Sequence, residues 1–204
     1  TTLFRSIEFT SSIPVKKATE ILCQNMTTFS ILSSRSGDYF TAQLVDGEGH
    51  ALVGKDVQIG FNGKIYDRTT NETGGFRLQV NLVTAGGYTF AISFLGDDEY
   101  NASFSVAKIT VKKNVATLKA GTSSIKAGSN KVVKFTLTTP KGAVASQKVS
   151  LKINGKTYTA STDSKGVAQV KVSITTKGSY SYTASFAGTS TIAAATATGT
   201  LKVQ

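Results

Sequence analysis

The stretch Phe61–Phe76, FNGKIYDRTTNETGGF, crowds a lysine, an arginine and two acids around three glycines. It reads either as a polar site or as two strands and their turns. The choice is made by INGKTYTASTDSKGVA, which begins at Ile153 and repeats the pattern. Asn62, Gly63, Lys64, Tyr66 and Gly74 recur as Asn154, Gly155, Lys156, Tyr158 and Gly166, each 92 positions later. The same offset carries Tyr88 to Tyr180, Phe94 to Phe186 and Gly96 to Gly188. A repeat of this length marks two copies of one folding unit. Asp67 and Arg68 become Thr159 and Ala160, so what survives duplication is the hairpin and the core pattern, and these two charges are dispensable to the fold.

The pattern inside each copy has period two. Val57, Ile59 and Phe61 alternate with polar or glycine positions, as do Tyr88, Phe90, Ile92 and Phe94; Val149, Leu151 and Ile153 answer them in the second copy. Such alternation marks strands with one face on a core. Asn62-Gly63 and Asn154-Gly155 tolerate the positive φ of two-residue hairpin loops. Asn71 to Gly75 and Asp163 to Gly166 close the next reversals, where an Asx side chain accepts backbone hydrogen bonds. About seven short strands per copy predict an all-β chain of two tandem sandwiches, with an extra N-terminal strand.

The expected organisation is an N-terminal strand or remnant of an upstream domain over residues 1–14, a first domain over 15–110 and a second over 111–204. Val15-Lys16-Lys17 matches Val111-Lys112-Lys113 at a distance of 96, so one domain should pass into the next with little linker. The first copy carries one extra residue in the turn DGEGH relative to TPKG. Leu3, Ile7 and Phe9 alternate within residues 1–14. A donor strand of this kind would join copies of the chain into a homopolymer.

Charge separates the copies. Residues 15–110 hold eight Lys and Arg against ten Asp and Glu, whereas 111–204 hold fourteen Lys against the single acid Asp163. The formal charge of +11 therefore belongs to the second copy. Such a field attracts anionic surfaces and also favours solubility. Two readings stay open: an anionic cell-wall polymer, a glycan or a neighbouring acidic subunit as partner, or a charge that serves solubility with no specific partner. Nucleic acid is disfavoured, because the second copy has no arginine for bidentate contacts and no recognisable stacking platform.

Little else suggests chemistry. HExxH, CxxC, nucleophile-elbow and phosphate-loop motifs are absent, and His50 is the only histidine. No cofactor is implied and no enzyme activity is expected. Asp97, Asp98 and Glu99 form one acidic loop that could hold calcium, although its counterpart GTSTI has no acid. Cys23, the sole cysteine, reads as a buried small hydrophobe. Asn25, Asn71 and Asn101 head glycosylation sequons, all in the first copy. No apolar run is long enough to span a membrane as a helix.

Together VQIGFNGKIYDRTTNETGGFRLQVNL (57–82), GGYTFAISFLGDDEY (86–100) and KITVKK (108–113) resemble the immunoglobulin-like repeats of archaeal, especially methanogen, adhesin-like surface proteins. VSLKINGKTYTASTDSKGVAQVKVSI (149–174) with GSYSYTASFAG (178–188) resembles the same family. The resemblance implies immunoglobulin-like sandwiches at the cell surface, used in tandem as stalks or adhesive modules. Filament assembly through residues 1–14 and polymer binding by the basic domain are the alternatives to that role.

Overall fold

The structure, a computed structural model, describes residues 15–32 and 36–204, and none of these is helical. The assembly strand expected at Leu3, Ile7 and Phe9 lies outside the described residues. The chain divides into two compact units, of which the second is made by Thr27–Gly37, Asn81–Gly86 and Thr110–Gln204.

The first copy contributes β1 (Thr19–Cys23), β2 (Met26–Phe29), β3 (Tyr39–Asp46), β4 (Asp56–Phe61), β5 (Lys64–Thr69), β6 (Gly75–Gln79), β7 (Gly86–Phe94) and β8 (Ser103–Lys112). They form two sheets, β1-β3-β6 and β2-β8-β7-β4-β5. The second copy contributes β9 (Thr117–Ala120), β10 (Ser124–Ile125), β11 (Gly128–Thr139), β12 (Gly142–Ala143), β13 (Lys148–Ile153), β14 (Lys156–Ser161), β15 (Val167–Ile174), β16 (Gly178–Phe186) and β17 (Ala195–Val203). Here β11 pairs with β9, β12 and β15, while the larger sheet runs β10-β17-β16-β13-β14. The arrangement is a two-layer sandwich in each copy.

One detail exceeds the seven-strand expectation: each copy splits its first strand between the two sheets. In the second copy β9 runs antiparallel to β11, and β10 then crosses to pair in parallel with β17. The start of the copies also aligns differently from the sequence echo. The isolated parallel bridge Lys17 to Tyr100 is repeated by Asn114 to Ile192, an offset of 97 at the leading residue. Matching Val-Lys-Lys to Val-Lys-Lys is therefore one residue out of register, enough to exchange inward and outward positions.

Each core is built from the alternating residues. Leu44, Ile59, Phe90, Ile92 and Ile109 are fully buried in the first copy, and Phe135, Leu137, Leu151, Ile153 and Leu201 in the second. Burial of each such side chain stabilises the fold by about 1.5–3 kcal/mol. Phe90 meets Phe40 edge-on at 5.2 Å between centroids, an orientation favoured by the ring quadrupole.

A paired exchange between the copies shows how tight this packing is. Phe90 and Ala107 become Tyr182 and Gly199, which face each other across β16 and β17. A Cβ on Gly199 would lie 2.6 Å from the Tyr182 hydroxyl, so the phenol oxygen occupies the space that a methyl would need. Gly199→Ala should destabilise the protein by about 1–3 kcal/mol through overpacking. Adding Tyr182→Phe should recover the part of that loss due to the hydroxyl, with the ring Cζ still 2.9 Å from the new Cβ. Denaturant titration of both variants measures this, and an unrescued double variant would refute the exchange.

Candidate functional site

The loops singled out by sequence act first as backbone anchors. Asn62 and Gly63, at φ 49° and 73°, close the β4–β5 hairpin, and Asn154 and Gly155, at 49° and 69°, close β13–β14. The Asn71 Oδ1 accepts the amides of Thr73 and Gly75, while Asp163 Oδ1 accepts those of Lys165 and Val167. Asn25 and Asn101 are exposed: the Asn25 Oδ1 accepts the Lys108 amide, and the Asn101 side chain donates to the Lys16 carbonyl.

In the acidic loop, Asp97 Oδ1 accepts the amides of Glu99 and Tyr100, and its Oδ2 lies 2.6 Å from Lys55 Nζ. Asp98 and Glu99 remain exposed. The Thr189 hydroxyl accepts the amides of Thr191 and Ile192 at the corresponding place in the second copy. The turn therefore forms with or without a carboxylate.

Another cluster was missed in the sequence. His50 Nδ1 lies 3.2 Å from Asp46 Oδ2 and 3.5 Å from Glu48 Oε2. Asp46 also accepts the amides of Glu48 and His50, which caps the DGEGH turn. Cys23 is half-buried, rather than buried as expected, because it ends β1 where the chain leaves one sheet for the other; its Sγ sits 3.3 Å from Ser105 Oγ.

The outward sheet faces differ most between the copies. In the first, Ile65, Phe104 and Val106 stand exposed on the larger sheet, the last two at 67% and 56%. Their equivalents are Thr157, Thr196 and Thr198. The second copy's larger sheet accordingly presents hydroxyls, with Lys148, Lys152 and Lys202 spread among them.

Its smaller sheet is different again. Lys134 of β11 faces Gln169 of β15; Lys171 faces Val132, and Lys119 of β9 faces Thr136. Taken along β11, the lysines stand at the levels of residues 136, 134 and 132 on three successive strands. They form a straight diagonal across the exposed face, with roughly 7–8 Å from one to the next. The first copy has Leu22, Thr41 and Gln79 at these places, judged by the matching registers.

No protein-family model matches the sequence, and no curated protein matches it. By structure the chain is similar to the titin domains Z1Z2 in complex with telethonin, with TM-score 0.54, 13% identity, and coverage of 93% of this chain and 96% of that one. It is also similar to titin domains A168–A170, with TM-score 0.52, 11% identity and coverage of 93% and 66%. Invasin, a bacterial integrin-binding protein, matches at TM-score 0.46 and 16% identity over 93% of this chain. The chain spans 39% of that invasin chain. The fold is an all-β, immunoglobulin-like sandwich.

The Lys55–Asp97 pair predicts a pH dependence confined to the first copy. The hydrogen bond from Lys55 holds the Asp97 carboxyl below its ordinary pKa and, reciprocally, raises Lys55. The carboxylate contribution is therefore present above the unfolded pKa of about 3.9 and is lost as pH falls through the lower folded value. The ammonium contribution is present below about 10.4 and is lost as pH rises through the higher folded value. Asp97→Asn should lower stability by a constant amount between about pH 5 and 9, and the gap should close at both extremes. Thermal melts across pH check this; a gap that widens in acid would contradict it.

Proposed function

We propose that the chain is a non-enzymatic segment of an extracellular surface protein, in which tandem immunoglobulin-like units act as a stalk or adhesive module. One observation carries the reading. Residues shared at the 92-residue offset serve turns and core, whereas the outward faces have diverged from apolar and acidic to hydroxyl and lysine. A duplicated scaffold with free variation on its outer faces suits a spacer or binding module. The resemblance of both copies to adhesin-like repeats supports the surface location.

Antibody labelling of source cells tests this. Signal on intact cells equal to that on permeabilised cells, and lost after external protease treatment, is the expected result. Labelling only after permeabilisation would overturn the proposal.

A further inference from the structure

We propose that the diagonal Lys119–Lys134–Lys171 on the outward face of the β9-β11-β15 sheet is a binding track for a linear anionic polysaccharide. The inference deepens the reading above, on which it rests for the presence of such a polymer.

Three features point to that ligand. Regularity comes first: the backbone positions of the three lysines lie in one line at equal steps, because antiparallel register moves each lysine two residues along as it moves one strand across. The line covers about 15 Å, the reach of a few residues of an extended polymer. Next, the charge has no acidic partner among the described residues. Asp163 is the one acid beyond residue 110, and its carboxylate caps a turn; no ion pair among the described residues involves these lysines. Finally, the rest of the face selects against other polyanion readers. Its neighbours are Val132, Thr136, Val167 and Gln169, with no aromatic ring on which a base could stack and no aromatic or arginine anchor of the kind that dominates protein interfaces. Point charges on flexible stems flanked by hydroxyl and amide groups suit spaced carboxylates or sulfates on a sugar chain.

The larger sheet supplies an internal control. Its outward register also carries three lysines, but Lys148 and Lys152 are four residues apart on β13, about 13 Å, and Lys202 lies two strands away. Replacing either set removes the same net charge, so an effect of net charge alone weakens both variants equally, a site on the smaller sheet weakens the diagonal variant more, and a larger loss from the other set would overturn the track.

The experiment measures binding of the full chain to polygalacturonate at low and moderate salt. Uncharged dextran, poly-glutamate and a single-stranded oligonucleotide serve as comparison ligands. Lys119→Gln/Lys134→Gln/Lys171→Gln should weaken binding to polygalacturonate on the order of 100-fold at low salt. It should also reduce the slope of log affinity against log salt by about 2–3. Lys148→Gln/Lys152→Gln/Lys202→Gln should retain most of the affinity and the slope. Replacing the diagonal with three arginines should preserve binding, with unchanged melting as the check on folding. Equal losses in the two glutamine variants would reduce the effect to net charge and overturn the site. Absence of wild-type binding, or tighter binding to poly-glutamate or the oligonucleotide, would overturn the ligand class. Surface labelling that persists alongside such a failure would leave the surface-module reading standing and remove only this track.

Discussion

Each sandwich depends on one corner, where two chain segments cross together from one sheet to the other and leave backbone groups without a ladder partner. In the first copy these are the β3–β4 connection and the β5–β6 turn. The buried Thr70 hydroxyl ties them together, donating to the Leu52 carbonyl at 2.6 Å and accepting the Lys55 amide at 2.8 Å. Thr162 does the same with the Val144 carbonyl and the Gln147 amide, at 2.7 and 2.9 Å. The backbone reinforces it, with Gly54 donating to Thr70 and Thr70 to Lys55, repeated by Ser146, Thr162 and Gln147. Buried amides and carbonyls at a crossing must be paired, so this clip is what lets two sheets share one core.

The same corner explains why one glycine recurs in both copies. Gly74 and Gly166 adopt φ 71° and 76°, and a Cβ on either would stand 2.5 Å from a backbone carbonyl, that of Leu44 or Leu137. Their own carbonyls accept the Leu44 and Leu137 amides. Both positive φ and close approach exclude a side chain, so glycine is required twice over. The adjacent Asx cap changes freely between Asn71 and Asp163, because either offers the same oxygen.

Much of the fold was legible because it rests on local signals. Alternation marked the strands, and Asn-Gly pairs marked where they reverse. The split first strand was not legible, since β9 and β10 differ in which sheet they join and four residues give no periodicity to read. The Thr70 and Thr162 clips were hidden for another reason: threonine is so common on strand surfaces that an inward one has no signature without coordinates. For the candidate site, sequence showed the charge but not its arrangement. Lys119, Lys134 and Lys171 are far apart along the chain, and only pairing register makes them neighbours. A slip of one residue would send any of them to the opposite face.

That register also explains why the second copy tolerates so many lysines with a single acid. Two unit charges 7–8 Å apart in water repel by about 0.5 kcal/mol, and salt at physiological strength screens them over a comparable distance. Lysines that stand outside the buried core therefore cost the fold little, while the buried positions stay uncharged. Selection on the core and selection on the surface act on alternate residues of the same strands, so the surface can change sign without touching the Thr162 corner or the Gly166 approach. The repulsion that remains along the diagonal is small against the stability of a sandwich and would be offset by an anionic chain lying across it. The duplicated scaffold thus keeps its folding constraints in one half of its residues and leaves the other half free to acquire a ligand.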